Sequence, residues 1–385
     1  MEKTMRAKKI SAWFIAALTV CAAGLASADT LRFASGYPPN SIPTAALKQF
    51  QENLESYSDG SLKARVFELS LLNLMETSGG IRDGMADMGI VLTPYFPSEY
   101  PRTNLVAEIS MSLELDGQSP DQAGLIYTGA MSEFIFLNCP DCVSEFADQN
   151  QVFLGSAATP PYSLLCRDEI SSLDDLEGKQ LRTSGAQWAR WAESVGANPI
   201  TMSVNEIYEG LSQGVVDCSV QSTPELSVFR LFEVIDSITL NYPGGVFGGV
   251  GASNINLETW RGLDDEQRQV LLRAAAALSA HFSWGYETAG VENEATAKSQ
   301  GIKIIEPDAA MREDNVAFIQ QDMKTIARSY QEKYGVEDGE AMIETFQKLL
   351  QKWDGLIDGV ESGDELADIY WREVFSKVDA GAYAQ

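Results

Sequence analysis

The sequence predicts an α/β protein built from two lobes. Short β-like apolar runs alternate with helical runs along the chain, which is typical of β-α-β units. The chain has 385 residues, which is too long for one ordinary hydrophobic core. One local device also occurs twice, at residues 84–87 and 214–217: a helix ends at Gly-x-x-Asp and a strand follows at once. We therefore expect one such unit in each lobe.

The N-terminus predicts secretion. Residues 1–9 are basic and precede an apolar run over residues 10–25, which ends in the small residues Ala26-Ser27-Ala28. This is the pattern of a signal peptide. Residues 1–28 are therefore predicted to be removed, and the mature protein to begin near Asp29. The rest of the sequence offers no stretch of eighteen consecutive apolar residues of the kind that crosses a membrane.

The remaining elements are predicted from apolar periodicity and from cap residues. Predicted strands cover residues 31–34, 61–69, 88–92, 179–183, 218–221 and 301–305. Predicted helices cover residues 42–57, 263–297, 311–334 and 340–376. S-x-x-Q/E capping boxes predict two further helix starts, at Ser184 and at Ser203. The helical C-terminal third is expected to brace the two lobes.

The charge of the chain limits its partners. The formal net charge is −27, which argues against nucleic acid and anionic membranes as partners. Such an excess of carboxylates keeps a surface solvated and does not select a function. An anionic ligand would nevertheless need a local positive site, so a well-placed arginine becomes informative.

The sequence offers little support for an enzyme. His281 is the only histidine, and it lies in an alanine-rich stretch that predicts a helix interior. Zinc sites with two or more histidines are excluded, and the helical setting argues against a Ser-His-Asp triad. No pair of carboxylates has a spacing that indicates acid-base catalysis. We expect a protein that is not an enzyme and that carries no cofactor.

The mature chain keeps the cysteines Cys139, Cys142, Cys166 and Cys218. The first two form a C-x-x-C motif without the strand-to-helix context of a redox site and without a second pair for zinc. In an oxidising compartment this motif predicts a local disulfide in a loop.

Arg182 is the strongest candidate for binding chemistry. It stands at the C-terminal end of a predicted strand and directly ahead of a predicted helix, which is where open α/β sheets bind ligands. A guanidinium there can bond both oxygens of a carboxylate, while the free amides of the helix N-terminus add to the attraction. The alternative is a surface arginine paired with one of the many acidic groups.

The segment around Arg182 resembles the solute-binding subunits of tripartite ATP-independent periplasmic (TRAP) transporters, the C4-dicarboxylate-binding-like family. The resemblance covers nearly all of the mature chain, and its central motifs occur in the family's order. These motifs are Gly178-Lys179-Gln180-Leu181-Arg182, Val195-Gly196-Ala197-Asn198-Pro199, Met202, Glu206-Ile207-Tyr208 and Leu211-Ser212-Gln213-Gly214-Val215-Val216-Asp217.

The resemblance implies a periplasmic, type II-like flytrap fold with a long lobe-spanning helix and C-terminal helices. Such a protein collects a small organic acid and delivers it to a membrane permease pair driven by a sodium gradient. A periplasmic sensor or scavenger on the same fold is the alternative. Family members are usually monomers, although the helices after Tyr334 could pair. The resemblance also leaves open whether a metal ion bridges the carboxylate to the protein. The domain arrangement is then 29–159 and 247–286 for lobe I, 160–246 and 287–320 for lobe II, and 321–385 for the helical brace.

The resemblance also assigns roles to single residues. Arg182 matches the arginine that clamps the carboxylate, Gln221 matches an asparagine that faces the ligand, and Gly185 matches a residue beside the bound carboxylate. The first-lobe loops that line the cleft contain Tyr37, Thr93 and Tyr95.

Several positions depart from the family pattern. Tyr162 falls where acidic-sugar binders often carry a second arginine, Leu92 replaces a polar cleft residue, and Cys218 replaces glycine. These changes imply a less polar ligand with one carboxylate, whose identity the sequence leaves open. Tyr162 and Trp188 are expected either to stack on the body of the ligand or simply to pack. The family fold also places the strand with Cys166 beside the strand with Cys218, where a disulfide could join them.

Overall fold

The computed structural model describes residues 29–384, so the predicted signal peptide lies outside the described residues. Strands and helices alternate along the chain. The strands are β1 (Asp29–Ser35), β2 (Leu62–Glu68), β3 (Met88–Leu92), β4 (Gln151–Val152), β5 (Ser156–Ala157), β6 (Ser163–Cys166), β7 (Gln180–Thr183), β8 (Asn198–Thr201), β9 (Cys218–Gln221), β10 (Ser237–Thr239), β11 (Val250–Asn256) and β12 (Lys303–Ile305). The helices are α1 (Ile42–Tyr57), α2 (Thr77–Arg82), α3 (Pro101–Glu108), α4 (Ala123–Glu133), α5 (Pro140–Asp148), α6 (Ala186–Ser194), α7 (Ile207–Ser212), α8 (Glu225–Val228), α9 (Leu257–Gly262), α10 (Asp265–Ser299), α11 (Ala309–Tyr334), α12 (Gly339–Ile357) and α13 (Gly363–Glu373).

The strands form two separate mixed sheets, which confirms the predicted two-lobed α/β fold. The first sheet has the order β2-β1-β3-β11-β4, with β5 also paired to β11. The second has the order β12-β10-β6-β9-β7-β8. In each sheet a parallel group (β2-β1-β3, and β8-β7-β9) meets one antiparallel neighbour (β11, and β6). The exact limits of the lobes stay a prediction.

The Gly-x-x-Asp motif forms the same contact in both sheets. Gly84 and Gly214 have φ angles of 72° and 70°, a left-handed conformation that glycine adopts at little cost. Asp87 then accepts a hydrogen bond at 2.7 Å from the backbone N–H of Arg32 on β1. Asp217 accepts one at 2.8 Å from the backbone N–H of Gln180 on β7. Each aspartate thus ties the start of its strand to the neighbouring parallel strand.

The long helix α10 connects the two lobes. It has 35 residues, which corresponds to about 52 Å, and it begins with the capping box of Asp264 and Gln267. Ser283 accepts a hydrogen bond from the N–H of Ala158 in the first lobe. About three turns later, Asn293 donates to the carbonyl of Thr223 in the second lobe. Among residues 29–384, no helix has the length and apolar character needed to cross a membrane.

Several predicted elements have the observed bounds, namely α1, β3 and β9. The predicted capping box at Ser184 is wrong. Gly185 is the N-cap of α6 and makes no side-chain cap, while the Ser184 hydroxyl bonds to the hydroxyl of Tyr162 instead. The capping box of Ser203 and Glu206 is present.

The four cysteines among residues 29–384 are joined in two pairs. A disulfide links Cys139 to Cys142 across the start of α5. A second disulfide links Cys166 to Cys218, which lie opposite each other on the antiparallel strands β6 and β9. His281 lies on α10, with its Nε2 atom 3.1 Å from the carboxylate of Asp364.

Candidate functional site

A small cavity lies between the two sheets. It is placed where the parallel strands β1, β3, β7 and β9 end, which is the usual ligand position in open α/β sheets. Its walls come from both lobes and from α10. The lining residues are Tyr37, Leu92, Tyr95, Thr159, Tyr162, Arg182, Ser184, Val204, Gln221, Glu225, Phe247, Val250, Phe282 and Tyr286.

Arg182 is the only arginine or lysine among the residues that line this cavity, and it is 0% exposed. Its Nε donates to the carbonyl oxygen of Met202 at 3.0 Å. Nη1 donates to the Oε1 atom of Gln221, and Nη2 lies 3.3 Å from the Tyr95 hydroxyl. Within the described chain, no carboxylate lies at ion-pair distance from this guanidinium. A buried cation without an acidic partner is costly, so the site is prepared for an anion.

Tyr95 connects the two lobes above Arg182. It lies in the turn after β3, in the first lobe. Its hydroxyl accepts a hydrogen bond at 3.0 Å from the backbone N–H of Val204, in the second lobe. The same hydroxyl is the acceptor for Nη2 of Arg182. The side chain therefore holds the cavity closed on one side.

Two aromatic rings, those of Tyr162 and Phe247, form another wall, and Trp188 stacks behind Tyr162. Tyr162 and Trp188 are parallel within 14°, with centroids 4.1 Å apart, and Phe247 lies 6.3 Å from Tyr162 in a similar orientation. The Nε1 of Trp188 donates to the carbonyl of Gly244 at 2.9 Å. Tyr162 and Phe247 belong to the two connections between the lobes, which pair where the N–H of Tyr162 donates to the carbonyl of Gly245. Lobe motion would therefore move this wall.

Glu225 provides a second charged group in the same cavity. It is 3% exposed, and its Oε1 atom accepts a hydrogen bond from the Tyr286 hydroxyl at 3.1 Å. Its Oε2 atom has no hydrogen-bond partner among the described residues. Burial raises the pKa of this carboxyl to about 7, against smaller lowering effects of Tyr286, Arg182 and Gln221. The Gln221 amide is near, but it does not reach hydrogen-bond geometry with either carboxylate oxygen.

Five of the residues expected from the sequence to bind the ligand line the cavity: Arg182, Gln221, Tyr162, Tyr37 and Tyr95.

Three other expected residues do not line it. Trp188 is behind the ring of Tyr162. Thr93 turns its hydroxyl to the carbonyl of Gly249 at 3.1 Å. Gly185 begins α6, and a side chain at this position would contact Gln187 and Trp188.

The sequence reasoning missed Ser184, Glu225, Phe247, Phe282 and Tyr286. Phe282 and Tyr286 could have been found from the sequence, because they are four residues apart on one face of a helix predicted to touch both lobes. Their rings stack at 5.3 Å. Glu225 has no comparable signal, because it begins a helix of only four residues. Concerning the metal that the resemblance left open, residues 29–384 contain no group of three or more His, Cys, Asp and Glu side chains arranged to hold an ion.

Known proteins match both the sequence and the fold. The sequence model of "Bacterial extracellular solute-binding protein, family 7" matches residues 142–332, about half of the chain. A sialic acid-binding periplasmic protein of Vibrio cholerae is 25% identical over 140 residues, 36% of this chain. The match spans 43% of that relative's length.

Solved structures match over nearly their whole length. A marine metagenome TRAP solute-binding protein specific for aromatic acid ligands superposes with a TM-score of 0.73 at 19% identity, covering 85% of this chain and 99% of that one. A Bordetella pertussis extracytoplasmic solute receptor that binds pyroglutamic acid gives a TM-score of 0.67 at 19% identity, covering 83% and 100%. At these identities the likeness shows the fold.

The family match and the shared fold agree with the motifs around Arg182 and with a cavity between two lobes. Proteins of this kind are extracytoplasmic receptors for solutes and are not enzymes, as the sequence predicted. The chain belongs to family 7 of the bacterial extracellular solute-binding proteins.

Proposed function

We propose that this protein captures a small organic acid between its lobes, with the carboxylate of the acid bound by Arg182, and delivers it to the membrane permease of a TRAP-type transporter. The observation that carries the proposal is a fully buried guanidinium without an acidic partner among the described residues. An anionic ligand would supply the missing charge in a chain whose formal net charge of −27 otherwise repels anions.

The donors around the cavity suit a carboxylate. A guanidinium has five N–H groups, and those of Arg182 have three acceptors in the protein. The remaining N–H groups would bond the two carboxylate oxygens. Gln221 uses its carbonyl oxygen on Arg182, which leaves its NH₂ group to donate to the ligand. The hydroxyl of Ser184 is a further polar group of the cavity.

The rest of the cavity suits a compact and partly apolar solute body. Leu92, Tyr162, Phe247 and Val250 all line it, so apolar contact adds to the binding free energy. Structural neighbours of this chain bind solutes of this class, namely pyroglutamic acid and 3-hydroxybenzoate. Both are acids with one carboxyl group, which supports the class of ligand rather than its identity.

The family match supports delivery to a permease and action in the periplasm. The predicted signal peptide would bring the chain to that compartment, and a closed cleft would present the surface that the permease recognises. Uptake of the identified acid into proteoliposomes that contain the two membrane subunits of a TRAP-type permease from the same organism tests this step. Binding without uptake would favour the sensor or scavenger alternative.

The clamp is tested by a thermal-shift screen of organic acids, followed by calorimetry on the hits, because a ligand of the native state raises the melting temperature. We expect monocarboxylates or dicarboxylates among the hits. Arg182→Ala is expected to weaken their binding by about a hundredfold or more, since at least two charge-assisted hydrogen bonds are lost. Arg182→Lys keeps the positive charge but loses the planar guanidinium. Its affinity for the acid should therefore lie between those of the wild type and Arg182→Ala.

The matched control is Arg167→Ala, which removes an exposed arginine from the same lobe and should leave affinity unchanged. Circular dichroism of each variant checks that the fold is intact. Unchanged affinity in a folded Arg182→Ala protein would refute the proposed clamp.

A further inference from the structure

The cavity holds two buried side chains that bear opposite charges when ionised. The carboxylate of the proposed ligand binds only one of them. Arg182 and Glu225 are 0% and 3% exposed, and both line the same space. They do not form an ion pair with each other, because no Arg182 nitrogen lies within 4.0 Å of the Glu225 carboxylate. The proposed function assigns a ligand group to Arg182 but gives Glu225 no role.

The Glu225 carboxylate, which lines the cavity, has an unused acceptor atom. Oε1 is bonded by the Tyr286 hydroxyl, whereas Oε2 is buried and unpartnered in the described chain. An unsatisfied buried oxygen of this kind costs free energy, and it is rare enough in native proteins to need an explanation. A hydrogen-bond donor on the solute would satisfy it.

Aromatic rings line the cavity on the side of α10, where the Tyr286 hydroxyl bonds to Glu225. Phe282 and Tyr286 are stacked with centroids 5.3 Å apart, and Tyr37 meets Phe282 edge-on at 6.2 Å. All three line the cavity. The faces of such rings attract cations, so rings and carboxylate together favour a positively charged group. No arginine or lysine lies among the residues on this side of the cavity.

We propose that the solute is a zwitterion, whose carboxylate binds Arg182 and whose cationic nitrogen binds Glu225 between the rings of Tyr37, Phe282 and Tyr286. This inference rests on the proposed carboxylate function and narrows it to an amino-acid-like or cyclic-amine acid. The occupied cavity then holds two pairs of opposite charges and no net charge, which avoids a buried uncompensated ion.

Protonation of Glu225 should make the affinity for the solute depend on pH. Burial raises the pKa of this carboxyl to about 7, so a cationic nitrogen must displace a proton below that pH. Affinity for a zwitterion therefore rises as pH increases through about 7. An acid without a cationic group binds better when Glu225 is protonated and neutral, so its affinity falls over the same pH range. The titratable groups facing Glu225 are Arg182, Tyr37, Tyr162 and Tyr286, and burial raises the pKa of these tyrosines, so they stay neutral in this range.

The test uses pairs of acids that share a shape and differ in charge. The pairs are proline with cyclopentanecarboxylate, piperidine-2-carboxylate with cyclohexanecarboxylate, and trimethylammonioacetate with 3,3-dimethylbutanoate. Pyroglutamate adds an uncharged N–H donor. Dissociation constants are measured by calorimetry at pH 6 and pH 8 for the wild-type protein, Glu225→Gln and Glu287→Gln. Glu287 is a matched control, since burial also raises its pKa to about 7 and it does not line the cavity.

We expect the cationic member of at least one pair to bind wild-type protein and Glu287→Gln about tenfold or more tightly than its partner. In Glu225→Gln that preference and its pH dependence should disappear, while carboxylates still bind through Arg182. Equal affinity within every pair, equal affinity for pyroglutamate and proline, or a preference that survives Glu225→Gln would each overturn the zwitterion and leave the carboxylate clamp intact. Absence of binding by every acid would overturn both.

Discussion

The hydroxyl of Tyr95 lies 3.0 Å from the backbone nitrogen of Val204, and this hydrogen bond crosses from one lobe to the other. The same hydroxyl contacts the arginine at the base of the cavity. A single oxygen atom thus bonds to the backbone of the opposite lobe and to the side chain of Arg182. This contact should stabilise the closed state in which a solute is buried.

Tyr95→Phe removes this oxygen and leaves the ring. The Val204 N–H would lose its acceptor, which costs about 1 kcal/mol and corresponds to about fivefold weaker binding. Calorimetry with an acid identified in the screen measures the change. Tyr208→Phe is the control, because its hydroxyl bonds to Glu233 on the exposed surface of one lobe. Equal affinities in both variants would contradict a closing role for Tyr95.

Arg190 forms a second connection between the lobes, away from the cavity. On α6 it bonds both oxygens of Asp322 on α11, at 2.7 and 2.8 Å, and Glu108 on α3 at 2.9 Å. Arg190→Ala leaves two poorly exposed carboxylates without their cation, which is strongly destabilising. We expect a lower melting temperature and weaker solute binding. Arg328→Ala, at an exposed position of α11, should change neither, and a silent Arg190→Ala would show that this cluster does not join the lobes.

The two disulfides should differ in their contribution to stability, because they close loops of different length. Cys166 and Cys218 are 52 residues apart, whereas Cys139 and Cys142 are 3 apart. Loop entropy predicts that Cys166→Ala with Cys218→Ala lowers the free energy of unfolding by about 4 kcal/mol, and the other pair of substitutions by about 2 kcal/mol. Urea denaturation measures both values. A larger loss for the short loop would contradict the loop-entropy explanation.

Stability should fall as pH rises from about 4 to 7. Burial raises the pKa values of Glu145, Glu225 and Glu287 to about 7 in the native state, while in the unfolded chain they titrate near 4.3. In this window the native protein holds protons that the unfolded chain releases, so unfolding becomes easier with increasing pH. Melting temperatures of the ligand-free protein between pH 5 and pH 8 measure the slope.

Glu287→Gln isolates one of these three groups. Besides burial, the acidic neighbours Asp121 and Glu294 raise the pKa of Glu287, so this variant should melt higher than wild type at pH 8 and show a shallower slope. Glu344→Gln is the control, since Lys348 lowers the pKa of that exposed carboxyl. Parallel curves for wild type and Glu287→Gln would contradict this assignment.

Much of the fold was predictable because it depends on local patterns. The apolar periodicity of α1 and the glycine stops before β3 and β9 placed these elements at their observed bounds. The position of Arg182 at the end of a strand was equally visible, since strand ends follow from the same patterns. The C-terminal helices and α10 were also predicted, within a few residues at their ends.

The remainder of the cavity depends on how distant segments meet. Glu225 was not predictable because nothing in a four-residue helix shows that it faces an arginine 43 positions earlier. Ser184 was assigned to a helix cap, but the chain bends so that Gly185 occupies that position. Trp188 was expected beside the ligand, and the structure places it one layer further back.

The stack of Tyr162 on Trp188 gives this protein an internal optical probe. A solute that touches the Tyr162 ring alters the surroundings of an indole that is itself shielded from water, so occupancy should be visible in the tryptophan emission spectrum. Comparison with Trp188→Phe separates this signal from those of the other tryptophans. Association rates could then be followed by stopped-flow mixing without any attached dye.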